Sequence, residues 1–247
     1  THIAVAFDRK EPTFRHKKFP KYQAQRPKMD AELSSQFDKA KDVISAFGIP
    51  IYDKAGYEAD DVLGTLASKV IMDVVIVTGD RDILQLVGEK VKVYMPVIGL
   101  SQGKLMGTDE VIEKMGVAPA SIDDYKALVG DPSDNYPGVP GIGPKTAIGL
   151  LEKYETLDNI YKHLGKLPAR TAEKLKEGRQ SSKISKKLAS IVKNVPLKFE
   201  IEDSAKWDID SESVLRLFSE YGFRTLTERV KKVGKQLDQE KQMTLLR

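Results

Sequence analysis

The chain has 247 residues, with 40 Lys or Arg against 36 Asp or Glu, a formal net charge of +4 and 40% apolar residues. These values are typical of a globular protein, and the longest apolar run, 70–77, is interrupted by Asp73, which argues against a membrane-spanning segment. The absence of cysteine excludes disulfides, thiol catalysis and cysteine-ligated zinc. No secretory signal is recognisable at Thr1, so we expect a cytoplasmic protein, and we expect it to be a monomer.

The first half of the chain alternates predicted strands and helices. Short apolar runs at residues 2–7, 49–52 and 74–78 predict strands. Asp30 is expected to cap a helix over 31–47 that Gly48 ends, and residues 59–70 are predicted to form a crossover helix. This β–α–β alternation predicts an α/β, Rossmann-like fold with a mostly parallel sheet, in which ligands bind at the carboxyl ends of the strands.

The second half is predicted to be mainly helical from Thr108 onward. We therefore divide the chain into an α/β core over 1–107, a helical region over 108–227 and a highly charged tail or linker over 228–247.

The charge of the chain is segregated along its length. Residues 9–28 carry eight Lys or Arg against one acid, and residues 166–198 carry ten against two. Residues 53–82 reverse the balance, with seven acids against three bases. Basic segments on both sides of an acidic segment could bind a polyanion and bring it to metal cations held by the acidic residues. Each basic segment taken alone could equally be solvated surface.

Eight carboxylates occur in four short motifs. They are Asp8 after the first strand, Glu58, Asp60 and Asp61 in GYEADD, Asp80 and Asp82 in TGDRD, and Asp131 and Asp134 in GDPSDN. Any one motif is explained by ordinary helix capping or by acids that complement a helix dipole. Together at one sheet edge they require neutralisation, and oxygen ligands without cysteine favour two Mg²⁺ or Mn²⁺ ions.

The segment NYPGVPGIGPKTAIGLL is typical of a helix–hairpin–helix, here with two turns. Gly138, Gly141 and Gly143 permit tight turns, and the helix that begins near Lys145 and Thr146 would present backbone N–H groups to a DNA phosphate. Such contacts position DNA without reading its sequence. A glycine-rich loop between helices is the alternative.

In their order, the motifs FDRKEPTFRH, GYEADDVL, TGDRDILQL and GDPSDNYPGVPGIGPKTA resemble the 5′-nuclease domain of bacterial DNA polymerase I and its flap-endonuclease relatives. The resemblance implies a nuclease core with a helical arch, a helix-two-turn-helix DNA-binding region, and hydrolysis of DNA at 5′ ends or 5′ flaps in replication and repair. It implies a first metal cluster of Asp8, Glu58, Asp60, Asp80 and Asp82, and a second of Asp61, Asp131 and Asp134. The implied arch residues that contact DNA are Arg15, Lys21, Tyr22 and Arg26. Of these, the cations Arg15, Lys21 and Arg26 would steer the scissile phosphate and assist catalysis, and Tyr22 would stack on a base.

Two features depart from the pattern of this family. Gln23 stands where the family commonly has a lysine directly after the arch tyrosine. The family also opens with a further strand carrying an early aspartate, and we expect this sequence to begin beyond it, as a fragment or as a variant. A polymerase after Arg247 is compatible with the charged tail.

Two other functions remain open at this stage. A non-catalytic, structure-specific DNA-binding module, or an inactive fragment of the nuclease, would explain Gln23 and the missing strand. A phosphotransferase of the haloacid dehalogenase type also uses acids at strand ends, but Asp8-Arg9-Lys10 lacks the second aspartate of its DxD motif.

Overall fold

The computed structural model describes residues 1–27, 29–99 and 102–245. The strands are β1 (Val5–Ala6), β2 (Ile51–Tyr52), β3 (Val74–Val77), β4 (Val91–Ile98), β5 (Gln102–Met106), β6 (Gly130–Asp131) and β7 (Tyr136–Pro137). The α-helices are α1 (Phe14–Lys18), α2 (Ala31–Ala46), α3 (Ala59–Lys69), α4 (Thr108–Met115), α5 (Ile122–Val129), α6 (Pro144–Tyr154), α7 (Leu157–Lys162), α8 (Ala169–Glu177), α9 (Arg179–Ala189), α10 (Glu212–Glu220) and α11 (Arg224–Leu245). Short 3₁₀ helices occur at Asp82–Leu86, Pro119–Ser121, Leu164–Lys166 and Ile201–Ala205. In the described part of the chain, every helix is too short or too polar to cross a bilayer.

Helix α2 begins and ends where the sequence predicts. The Asp30 side chain accepts a hydrogen bond from the backbone N–H of Glu32 at 2.8 Å, which satisfies one of the free donors of the first turn. Gly48, with φ of 73°, lies two residues beyond the last helical residue, in the left-handed conformation that glycine adopts without strain. The helix is therefore delimited by local signals.

The chain divides into two compact units, and the smaller contains residues 1–7, 27–53 and 197–247. In this unit β1 pairs in parallel with β2, with Val5 opposite Ile51. Its small core is formed by Val214 and Phe218 of α10 and Val230 of α11. Helix α11 covers most of the predicted tail or linker, of which residues 246–247 lie outside the described part.

The larger unit contains residues 8–26 and 54–196 and holds the main core. Strand β3 is parallel to β4, and β4 is antiparallel to β5. Immediately after β3, the TGDRD loop enters the 3₁₀ helix Asp82–Leu86, whose Ile83 and Leu84 are completely buried. Burial of these two side chains anchors the loop, so Asp80 and Asp82 are carried by a packed element.

Candidate metal centre and nucleic-acid interface

The acidic motifs of the larger unit converge on one cleft of about 370 Å³. The predicted carboxylates that line it are Asp8, Glu58, Asp60, Asp80, Asp82 and Asp134, and Glu11 lines it as well. They come from the segment after β1, the start of α3, the loop after β3 and the β6–β7 hairpin. The structure therefore brings all four predicted motifs together.

The start of α3 supplies the acids on one side of the cleft. Asp8 Oδ1 accepts from the backbone N–H of Ala59 at 2.7 Å, which is ordinary capping of a helix N-terminus. Glu58 and Asp60 are different, because burial raises the pKa of Glu58 to about 7 and that of Asp60 to about 8. Repulsion from Asp80 and Asp82 adds to the effect on Asp60. Dipole complementarity alone does not explain such strongly perturbed acids, which are typical of functional sites.

The β6–β7 hairpin supplies the other side. Asp131 and Asp134 are 9% and 8% exposed, and oxygens of Asp82, Asp131 and Asp134 all lie within 4.8 Å of one another. Asp131 Oδ1 accepts from the Ser133 backbone N–H at 2.8 Å, which fixes the orientation of the carboxylate. The structure thus groups Asp82 with the hairpin acids, whereas the family resemblance implies a place for it beside Glu58 and Asp60.

Lys126 is a member of this cluster that our sequence analysis missed. It lies on α5, and its Nζ donates to Asp131 Oδ2 at 2.5 Å and also to Asp82. Burial lowers the pKa of this lysine, but the two carboxylates outweigh burial and raise it, so the ammonium stays charged. The sequence feature that could have identified Lys126 is a lysine next to the apolar residues Ala127 to Val129 of α5, five residues before Asp131.

Arg15 and Asp61 form a buried ion pair. Arg15 is 2% exposed and donates to both oxygens of Asp61, with Nη1–Oδ2 at 2.7 Å and Nη2–Oδ1 at 2.9 Å. Asp61 is completely buried. Arg15 Nε also donates to the carbonyl of Leu188 at 2.8 Å. This geometry leaves Arg15 little freedom to reach DNA and commits the Asp61 oxygens to a protein cation, which favours a structural role for the pair. DNA contact by Arg15 and metal ligation by Asp61 stay predictions.

The segment after α1 surrounds Asp134. The Tyr22 hydroxyl donates to Asp134 Oδ2 at 3.1 Å, while Gln23 Nε2 and Arg26 Nη2 both donate to Oδ1, at 3.0 and 2.6 Å. The Tyr22 side chain is buried, so in this arrangement it is not free to stack on a base. Lys21 is exposed, and the Arg26 side chain is 54% exposed. Lys21 and Arg26 are therefore the two predicted arch cations that remain accessible.

The glycine hairpin separates into buried and exposed positions. Gly138 is buried, where a Cβ atom would overlap the backbone nitrogen of Gly130 and the carbonyl oxygen of Leu128. Gly141 has φ of 77° and Gly143 caps α6, and both are exposed together with Lys145 and Thr146. Gly138 therefore shapes the hairpin, and the other four predicted residues present the N-terminal end of α6 to solvent. Among the described residues that line the acidic cleft, these hairpin positions do not occur.

We expect Gly138→Ala to destabilise the protein by about 1–3 kcal/mol, because its Cβ would force apart two backbone segments that cannot yield as a flexible side chain does. Gly143→Ala is the matched control, since no atom lies within 4 Å of its Cβ position and its φ is −96°. Urea denaturation measures both free energies of unfolding. Equal stability of the two variants would contradict the close packing at Gly138.

Comparison with known families accounts for most of the chain. The model of the 5′-3′ exonuclease N-terminal resolvase-like domain matches residues 1–116, and that of the 5′-3′ exonuclease C-terminal SAM fold matches residues 117–212. These matches confirm the predicted fold class, an α/β core followed by a helical region.

Two curated relatives are similar over most of this chain. DNA polymerase I of Bacillus caldotenax is 38% identical over 234 residues, which cover 93% of this chain and 27% of that protein. The chain thus spans about a quarter of the length of the DNA polymerase I relatives it matches. A 5′-3′ exonuclease of Bacillus subtilis is 42% identical over 206 residues, which cover 83% of this chain and 70% of that protein.

Solved structures support the same fold. Bacteriophage T5 5′-exonuclease with bound divalent zinc ions has a TM-score of 0.63 at 19% identity, over 94% of this chain and 83% of that one. Bacteriophage T5 flap endonuclease, in a pseudo-enzyme-product complex with DNA and metal ions, has a TM-score of 0.62 at 19% identity, over 94% and 84%. At these identities the likeness shows the fold alone. The two family models together match residues 1–212, and this chain is 42% identical to the Bacillus subtilis exonuclease, of which it covers 70%. This chain therefore belongs to the 5′-3′ exonuclease family.

Proposed function

We propose that this chain is a divalent-metal-dependent nuclease that hydrolyses DNA phosphodiesters at 5′ ends or 5′ flaps. The observation that carries the proposal is the convergence of four acidic motifs on one cleft, with oxygens of Asp82, Asp131 and Asp134 within 4.8 Å of one another. The relatives named DNA polymerase I suggest that replication and repair are the setting and that a polymerase domain is a covalent partner.

The donor set fits hard divalent cations. Every candidate ligand is a carboxylate, and Mg²⁺ or Mn²⁺ prefers oxygen ligands. Burial, and then repulsion from neighbouring carboxylates, raises the pKa values of Glu58 and Asp60, and a bound cation would favour their ionised forms. We propose a first site on Asp8, Glu58, Asp60 and Asp80, and a second on Asp82, Asp131 and Asp134. A pair of such ions would activate water and stabilise charge on the leaving oxygen.

The protein's own residues would hold and orient the DNA. Lys21 and Arg26 are the accessible cations among the predicted arch residues, and Gly141, Gly143, Lys145 and Thr146 present the start of α6 to a phosphate. Lys126 would keep Asp82 and Asp131 oriented when no cation is bound, because it already donates to both. A cation on the same oxygens competes with this ammonium.

Cleavage of a 5′-labelled flap substrate tests the proposal. We expect Mg²⁺-dependent cutting that Asp80→Ala reduces about 100-fold or more, because a metal ion contributes several kcal/mol of transition-state stabilisation. Asp109→Ala, which removes an exposed aspartate at the start of α4, should cut normally. Cutting that persists at full rate in a chelator would contradict a metal mechanism.

A non-catalytic flap-binding module is the second candidate, and Gln23 is the observation that favours it. Gln23 donates an uncharged hydrogen bond to Asp134 at the position where the family commonly has a lysine. In that case the chain would bind flap DNA without cutting it in Mg²⁺ or Mn²⁺, and Gln23→Lys would not restore cleavage. Salt-dependent binding would be common to both candidates and does not distinguish them.

A further inference from the structure

The hydroxyl of Tyr136 is buried without a hydrogen-bond partner among the described residues. The residue is 3% exposed. Leaving a buried hydroxyl unpaired costs free energy, so such groups are rare and often indicate a missing ligand or water. Tyr136 was not among the site residues that the sequence predicts.

The hairpin places Tyr136 beside the metal-binding carboxylates. Strands β6 and β7 pair in antiparallel register with Asp131 directly opposite Tyr136. Because directly opposed residues of an antiparallel pair project from the same face, the two side chains share one side of the hairpin. The carboxylate of Asp131 belongs to the cluster with Asp82 and Asp134.

A second tyrosine, Tyr22, packs against the ring of Tyr136 and differs from it in its hydrogen bonding. The rings of Tyr22 and Tyr136 stack with centroids 6.4 Å apart and an interplanar angle of 17°. The Tyr22 hydroxyl lies 3.1 Å from Asp134 Oδ2 and 3.2 Å from Glu58 Oε2, so its one proton has two carboxylate acceptors. Of these two stacked phenols, the one opposite Asp131 has a hydroxyl without an acceptor among the described residues.

The Tyr136 hydroxyl is a hydrogen-bond donor, as an ordinary phenol is at neutral pH. It lies on the same side of the hairpin as the Asp131 carboxylate, which clusters with those of Asp82 and Asp134. An oxygen-containing ligand brought to those carboxylates is the acceptor that this arrangement lacks.

We propose that Tyr136 is a positioning residue for the divalent cation of the Asp82, Asp131 and Asp134 cluster, to whose water shell its hydroxyl donates a hydrogen bond. Ions such as Mg²⁺ keep several of their waters when a protein binds them. Hydrogen bonds from outside the ligand sphere orient the ligands and strengthen binding. This inference rests on the metal site in the proposed function and adds a residue that is not itself a ligand.

Tyr136→Phe isolates the hydroxyl, because phenylalanine keeps the ring that stacks on Tyr22. Tyr154→Phe is a matched control: its hydroxyl is also buried without a partner in the described chain, but the residue lies in α6 and its ring stacks on His163. Removing an unpaired buried hydroxyl should leave the thermal midpoint in a chelator unchanged or higher in both variants. A loss of metal binding is thus separable from a loss of fold.

Binding of Mn²⁺ to the full chain, followed by electron paramagnetic resonance and repeated with Mg²⁺ by calorimetry, is the test. We expect about a tenfold weaker affinity in Tyr136→Phe and an unchanged affinity in Tyr154→Phe. In wild-type protein labelled with ¹³C at the tyrosine ζ carbon, the resonance that Tyr136→Phe removes should shift on addition of Mg²⁺.

Unchanged affinity in Tyr136→Phe would overturn the inference, as would an equal loss in both variants. If wild-type protein binds Mn²⁺ and cuts flap DNA while Tyr136→Phe behaves identically, only the role of Tyr136 fails. If wild-type protein binds no divalent cation, both the inference and the metal mechanism of the proposed function fail.

Discussion

Replacing Arg15 by methionine should lower the free energy of unfolding by about 3–5 kcal/mol, the usual cost of breaking a buried ion pair by removing one partner. The change leaves Asp61 completely buried without its bidentate cation. It also removes the donors to the carbonyls of Leu188 and Ser190, at 2.8 and 3.0 Å. Because single domains are stable by only about 5–15 kcal/mol, much of the stability would be lost.

Urea denaturation of three further variants makes this prediction specific. Arg26→Met, in the same segment, removes an ion pair to Asp134 in which the arginine side chain is 54% exposed, and should cost less than about 1 kcal/mol. Arg15→Lys should not rescue, because lysine lacks the planar fork that engages two carboxylate oxygens. The double variant Arg15→Met with Asp61→Leu should regain part of the loss, since the completely buried Asp61 charge is then absent, although Glu58 still loses its ion pair with Arg15. A loss in Arg15→Met no greater than in Arg26→Met would contradict the structural role.

The Arg15 pair also shows where prediction from the sequence stops. Asp60 and Asp61 are adjacent in one motif, and both are predicted as metal ligands. Adjacent residues of a helix project about 100° apart, so one side chain faces the cleft and the other faces Arg15. Which of them meets the arginine depends on how α1 and the end of α9 pack on α3, and no local pattern contains that information.

Elements with local signals were predictable. The cap at Asp30 and the left-handed Gly48 delimit α2 within one residue of the prediction, and β3 lies within the predicted 74–78 strand. The acids at the ends of these elements converge because strand ends and helix starts meet at one side of an α/β fold. The family and fold class follow from motif order and are confirmed by the matches.

Lys126 and Tyr136 were not predictable in the same way. Each becomes part of the site through a partner brought near by tertiary structure: Lys126 through Asp82, which is 44 residues away, and Tyr136 through the stacked ring of Tyr22. Their types carry no metal-ligand signal, since an ammonium and a neutral phenol are not the oxygen donors that Mg²⁺ selects.

The stability of the metal-free protein should fall as pH rises from about 4.5 to about 8. Burial raises the pKa of Glu58 to about 7 and that of Asp60 to about 8. In this window the folded state retains protons that the unfolded state has released, so raising the pH favours unfolding. A pKa shift of one unit corresponds to about 1.4 kcal/mol in the free energy of unfolding. Because water that penetrates the cleft weakens these shifts, we expect a total loss of about 2–4 kcal/mol in the free energy of unfolding.

Asp60→Asn separates this effect from other titrations. His16 acts in the opposite direction, because burial first and then Arg15 lower its pKa, so that its protonation destabilises the fold at acidic pH. His16 is present in both proteins, so the difference between their free energies of unfolding as a function of pH reports the titration of the Asp60 carboxyl group. We expect the variant to have a flatter profile and to exceed wild-type stability at pH 8.5 in a chelator, as measured by urea denaturation.

Divalent cations should abolish the loss of stability that the wild-type protein shows as pH rises. A cation that binds the folded state alone stabilises it by about 2.7 kcal/mol at one hundred times its dissociation constant. It also favours the ionised forms of Glu58 and Asp60, so the loss between pH 5 and pH 8.5 should disappear in saturating Mg²⁺. Asp60→Asn should gain less from Mg²⁺ than wild type does. A wild-type profile that falls equally with and without Mg²⁺ would mean that the raised pKa values reflect burial at a site that does not bind the ion.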